Sequence, residues 1–157
     1  MLFRSSTRAS TEILLVEDNP GDIRLMQEAF KEGGFSSRLS VTRDGEQAMA
    51  FLHHQGPYAN SPRPDLILLD LNLPRKDGRE VLAELKQEAS LRQIPVVVLS
   101  TSTSPEDVRT SYDLHANCYI PKPVDLDTLI ELGKVIEHFW LGTAILPPLA
   151  VLGFAAF

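Results

Sequence analysis

Five side chains stand out because each lies at or just beyond the end of a short apolar run: Glu17, Asp18, Asp70, Ser100 and Lys122. If the runs are strands of one sheet, three carboxylates, one hydroxyl and one ammonium converge from distant parts of the chain. Carboxylates packed a few ångströms apart cannot all stay ionised without a compensating cation, because mutual repulsion raises at least one pKa. Oxygen-only ligands favour a hard ion, and magnesium commonly takes one or two carboxylates together with a phosphate oxygen. A carboxylate can also attack phosphorus to give an aspartyl phosphate, and the site's task is then to align the reactants and neutralise the phosphoryl oxygens. A lysine and a divalent ion suit that task.

The elements that must position these groups follow from the apolar pattern. Short apolar runs alternate with amphipathic stretches of helical length, which predicts an α/β fold with a doubly wound parallel sheet and helices on both faces. Strands are expected over 13–16, 39–42, 66–69, 95–99 and 118–120. Asn19 is placed to cap the first helix with Pro20 at its first position, and this helix should end near Lys31, before Gly33 and Gly34. Asp44 opens a second helix, Pro74 and Gly78 lead into a third, Pro105 begins a fourth, and Asp125 caps a fifth running to Phe139. The proline-rich stretch 55–64 reads as loop. In an open parallel sheet, ligands collect outside the C-terminal strand ends, where all five candidates fall.

Bulk properties narrow the function classes. The 157 residues, 43% hydrophobic, suffice for one compact domain, and a second folded one would barely fit. A formal net charge of -6 disfavours a nucleic-acid surface, so protein partners are expected. Cys118 is the sole cysteine, which excludes an internal disulfide and suits a reducing cytoplasm. Residues 1–11 lack the apolar centre of a secretory signal and read as a flexible lead. The nearly uncharged stretch 139–157 has the length of a membrane span, but Pro147 and Pro148 break it, so packing on the domain or on a second subunit is expected instead. His53, His54, His115 and His138 lack the spacing of a transition-metal site and read as surface or interface residues.

The runs ILLVEDNP at 13–20, LILLDLNLPRKDG at 66–78, VVVLST at 96–101 and YIPKP at 119–123 resemble the response-regulator receiver family of two-component systems, in its order and spacing. The resemblance covers about residues 12–139 and implies a flavodoxin-like sheet of strand order 2-1-3-4-5. By it, Asp70 matches the phosphoacceptor, Glu17 and Asp18 the acidic pair that holds magnesium, and Asn72 the position whose backbone carbonyl completes the metal site, with manganese or calcium able to stand in. Ser100 matches the hydroxyl that bonds the phosphoryl group, Lys122 the family's lysine, and Tyr119 the aromatic that turns inward when the hydroxyl moves. A cis Lys122–Pro123 bond is also implied.

The loop QGPYANSPRPD, the segment SYDLHANCYIPKPVDL and the FWL near 140 look like the small regulators paired with bacterial and cyanobacterial phytochromes. That likeness implies a sensor histidine kinase as partner and a homodimer built on the fourth helix, last strand and last helix; the extension 140–157 is expected to join that dimer, although the unusually apolar Leu149 to Phe157 departs from the group's pattern. Blander readings stand alongside. Glu17 and Asp18 could cap a helix start, Asp70 could be a turn residue, and Lys122 an ordinary surface lysine. Thr101, Ser102 or Thr103 could take Ser100's part, and Tyr119 could be plain core. Alternative functions are a protein-binding module indifferent to phosphorylation and a haloacid-dehalogenase-type phosphatase. The latter generally wants an aspartate two residues after the nucleophile, where Asn72 stands. A flavin site is disfavoured, since no phosphate-binding loop follows the first strand. The chain is expected to be a switch, not a turnover enzyme.

Overall fold

The computed structural model describes residues 10–148. The lead expected over 1–11 lies almost wholly outside the described residues, as does the apolar segment Leu149 to Phe157. Five strands form one sheet: β1 (Glu12–Val16), β2 (Arg38–Thr42), β3 (Leu66–Leu69), β4 (Val96–Ser100) and β5 (Cys118–Pro121). All neighbours pair in parallel, in the order β2-β1-β3-β4-β5. The helices are α1 (Pro20–Glu32), α2 (Gly45–Leu52), α3 (Gly78–Gln87), α4 (Pro105–Asp113) and α5 (Leu126–His138).

Both faces of the sheet are covered, which is why the central strands read as unbroken apolar runs. Side chains alternate across a strand, so Leu14, Val16, Ile67 and Leu69 pack with Phe51, Leu82 and Leu85 of α2 and α3, while Ile13, Leu15, Leu66 and Leu68 pack with Met26, Leu129 and Ile136 of α1 and α5. Residues 66–69 are wholly buried. A parallel strand sealed on both faces is a rigid mount, and its last residue opens directly onto the site.

The caps explain how each helix starts where the chain leaves the sheet. Asn19 accepts from the Asp22 N–H at 3.0 Å, with Pro20 in the first turn. Asp44, Ser104 and Asp125 cap α2, α4 and α5 in the same way. At α3, Asp77 and Glu80 form a reciprocal capping box. Gly78 is required there, because a Cβ would lie 2.3 Å from the Asp70 carbonyl oxygen. Its absence lets the start of α3 press against the strand end that carries Asp70.

Three local features differ from the expectations drawn from the sequence. Gly56–Tyr58 forms a 3-10 turn inside the expected loop. Beyond α5 the chain makes a π-helical turn, Phe139–Thr143, and Leu146 is buried beside Ile94 and Pro95 at the opposite end of the sheet from the site. The Lys122–Pro123 bond is trans, the intrinsically favoured form, rather than cis as the resemblance implied.

Candidate functional site

The site is built from strand ends upward. The β1 ladder hands over to Glu17, whose N–H bonds the Thr42 carbonyl at 3.0 Å, and the Asp70 N–H bonds the Val16 carbonyl at the same distance. Glu17 and Asp70 are therefore held by sheet-type hydrogen bonds although they lie just past their strands. Carboxylate oxygens of Glu17, Asp18 and Asp70 all lie within 4.8 Å of one another. Glu17 and Asp70 are buried and Asp18 is exposed, which leaves the cluster open to water on one side.

Lys122 closes the inner wall. Its backbone N–H bonds the Ser100 carbonyl at 2.8 Å, fixing the segment after β5 to the end of β4. Its ammonium lies 2.7 Å from Glu17 Oε1, 3.1 Å from Asp22 Oδ2 and 3.4 Å from Asp70 Oδ2. Burial alone would lower this lysine's pKa, but the Glu17 hydrogen bond, the charges of Glu17 and Asp70, and the Asp22 bond outweigh it and push the ammonium above its ordinary value. Lys122 therefore stays charged throughout the physiological range. Glu17 moves the other way from an ordinary paired carboxylate. Burial raises its pKa, and repulsion from Asp70 adds to this, while hydrogen bonds from Lys122 and the Asn19 N–H oppose it. One ammonium does not fully compensate four nearby carboxylates, so the site has a surplus of negative charge. Three oxygen donors at this spacing suit a hard divalent cation, with open coordination left for water or a phosphoryl oxygen.

The sequence candidates divide by position. Glu17, Asp18, Asp70 and Lys122 are brought together. Asn72 sits beside them on the loop after β3, with its N–H 3.5 Å from Asp70 Oδ1. Ser100 lies at the end of β4, next to β3, and is almost fully buried, while Thr101 and Thr103 are exposed. Ser100 Oγ accepts the Ser102 N–H at 3.1 Å. Tyr119 is half-buried against the core, and its hydroxyl donates to the Ser102 carbonyl at 2.8 Å.

Two groups escaped the sequence reading. Asp22 lies four residues beyond Asp18, in the first turn of α1, but its partner Lys122 is 100 positions away. The second group surrounds Ser102. Its hydroxyl donates to Asp107 Oδ2 at 2.6 Å, and Asp107 Oδ1 accepts from Arg79 at 2.8 Å, which joins the loop after β4 to α3 and α4. The histidines stand apart from the acidic cluster: His53 pairs with Glu88 at 2.8 Å and His54 meets Ser61 at 3.1 Å. Among the described residues no helix is long and apolar enough to cross a membrane.

Comparisons with known proteins agree with this geometry. Residues 13–134 match the response regulator receiver domain. Response regulator Rcp1 of Synechocystis sp. is 58% identical over 135 residues, covering 86% of this chain and 92% of the relative. The phosphorylated cyanobacterial phytochrome response regulator RcpA superposes with a TM-score of 0.83 at 57% identity, over 89% of this chain and 100% of that one. The Mn2+-bound form of Rcp1 gives a TM-score of 0.79 at 56% identity, over 88% and 99% of the two chains. The sheet order, the converging strand ends and these matches lead to one conclusion: the chain belongs to the response regulator receiver domain family.

Proposed function

We propose that this chain is a phosphorylation-operated switch in which Asp70 accepts a phosphoryl group from the phosphohistidine of a sensor histidine kinase. The observation that carries the reading is the placement of a buried aspartate 3.4 Å from a lysine ammonium, beside two further carboxylates spaced for a divalent ion. An Asp70 oxygen attacks phosphorus as the bond to the histidine nitrogen breaks. Lys122 meets the charge on one phosphoryl oxygen, and the Ser100 hydroxyl swings to donate to another. Glu17, Asp18 and Asp70, with the Asn72 carbonyl, would hold magnesium, or manganese or calcium in its place. Bound there, the ion supplies positive charge to the phosphoryl oxygens and offsets the surplus of carboxylates.

Tyr119 would then fill the space that Ser100 vacates and so report the reaction at the α4, β5 and α5 surface. On this reading the chain catalyses its own phosphorylation and dephosphorylation through these side chains and is a switch rather than a turnover enzyme. The relatives support a phytochrome-type kinase as the donor, since RcpA is named as a cyanobacterial phytochrome response regulator. A cytoplasmic location accords with such a donor. Exposed Tyr112 on α4, Val135 on α5 and Phe139 just past it accord with a homodimer through that face, with residues 12–139 as the receiver and 140–157 as a C-terminal extension.

Incubation with acetyl phosphate tests the first step. A phosphoryl-sized mass increase is expected with magnesium, none with a chelator, and none in Asp70→Asn; no increase in the wild type with magnesium present would reject the reading.

A further inference from the structure

An ammonium has three N–H donors, and the Lys122 ammonium has three carboxylates around it. Glu17 and Asp70 belong to the group of oxygens spaced for a cation, but Asp22 does not. A divalent ion that draws on the charge of Glu17 and Asp70 would therefore leave Asp22 as the one acceptor still devoted to the lysine. Asp22 is also fixed independently of the site, because its N–H is capped by the Asn19 side chain in the first turn of α1. The pair faces a groove between α1 and α5, walled by Leu25, Met26, Pro123 and Leu129. The apolar walls shield the Lys122 end of the pair, while the Asp22 end stays partly exposed to solvent.

We infer that Asp22 is a positioning residue for reaction at Asp70, tethering the Lys122 ammonium from the α1 side so that it stays at the phosphoryl site when Glu17 and Asp70 are engaged by a metal. This rests on the phosphoacceptor role proposed for Asp70. Without the tether, the ammonium samples other rotamers and spends less time where the phosphoryl oxygens arrive. A purely structural role is the competing explanation, since an aspartate in the first turn also favours the helix dipole. The two roles separate through their dependence on Lys122.

The first arm needs no phosphorylation. Magnesium-saturated full-length protein is treated with an amine-acetylating ester, and labelling is mapped by peptide mass spectrometry with exposed Lys134 as the internal reference. Asp22→Ala should raise Lys122 labelling about fivefold, the scale of a partly screened ion pair, and Asp22→Asn, which keeps an oxygen acceptor, should fall between it and the wild type. The second arm follows aspartyl phosphate formation from acetyl phosphate. Asp22→Ala should slow it about fivefold with Lys122 present and produce no further slowing in a Lys122→Met background. Unchanged Lys122 labelling, or equal slowing with and without the lysine, overturns the inference. If labelling rises as stated but the wild type gains no phosphate, the tether stands and the phosphoacceptor reading falls.

Discussion

The two halves of the site are held by different forces. On one side, Glu17, Asp22, Asp70 and Lys122 are joined by ion pairs of 2.7 to 3.4 Å around a largely buried ammonium. On the other, Ser100, Ser102 and Tyr119 are linked mainly by hydrogen bonds between neutral hydroxyls and backbone groups, at 2.8 to 3.1 Å, with the Asp107–Arg79 pair at the rim joined to them by the Ser102 hydroxyl at 2.6 Å. Removing the ammonium from the charged half strands the buried Glu17 and Asp70 carboxylates, which costs several kcal/mol. Removing one hydrogen bond in the other half costs roughly 1 kcal/mol, and partners can be exchanged. The half proposed to do the chemistry is thus fixed, and the half proposed to transmit it can rearrange for little free energy. That division suits a switch.

The largest effect should come from breaking the charged half. Lys122→Ala in metal-free protein is expected to destabilise the fold by about 3 kcal/mol in urea denaturation, since Glu17 and Asp70 lose their shared cation. Saturating magnesium should restore part of that loss, and a loss below about 1 kcal/mol would erase the contrast between the halves. Next comes a pH effect with a defined sign. Because burial and Asp70 raise the Glu17 pKa, the folded chain holds that proton more tightly than the unfolded one. The contribution to stability is then full below the ordinary glutamate value of 4.5 and is lost as pH rises through the raised value. Glu17→Gln should therefore gain stability relative to the metal-free wild type across that rise, and magnesium should flatten the difference. Parallel pH profiles for the two proteins would contradict the sign.

Smaller effects sharpen the neutral half. Tyr119→Phe deletes the bond to the Ser102 carbonyl and should cost about 1 kcal/mol in thermal or urea unfolding while leaving the acidic cluster intact. Arg79→Gln loosens a partly exposed pair with Asp107 and should have the smallest effect of the series in the same unfolding measurement. A loss of several kcal/mol from either variant would place the switch side on the same footing as the charged side.

Much of this arrangement is legible in the sequence because its signals are local. The unbroken apolar run 66–69 marks a strand buried on both faces, and the structure places β3 on those same residues. Asn19, Asp44 and Asp125 announce their helices through capping chemistry that needs only three neighbouring residues. Once the strands are placed, their C-terminal ends bring Glu17, Asp18, Asp70 and Lys122 together by topology alone. What is not legible depends on pairing across the fold. Asp22 looks like any solvent-facing acid of a first turn, and Arg79, Ser102 and Asp107 meet only because α3 and α4 flank the same loop. Leu146 finds its pocket by contact with residues some fifty positions earlier, which no local pattern encodes.

A manganese titration followed by electron paramagnetic resonance reaches the central claim most directly. One tightly bound equivalent, displaced by magnesium and lost in both Asp18→Asn and Asp70→Asn, is the predicted result. No saturable binding, or binding that survives both substitutions, would contradict the account.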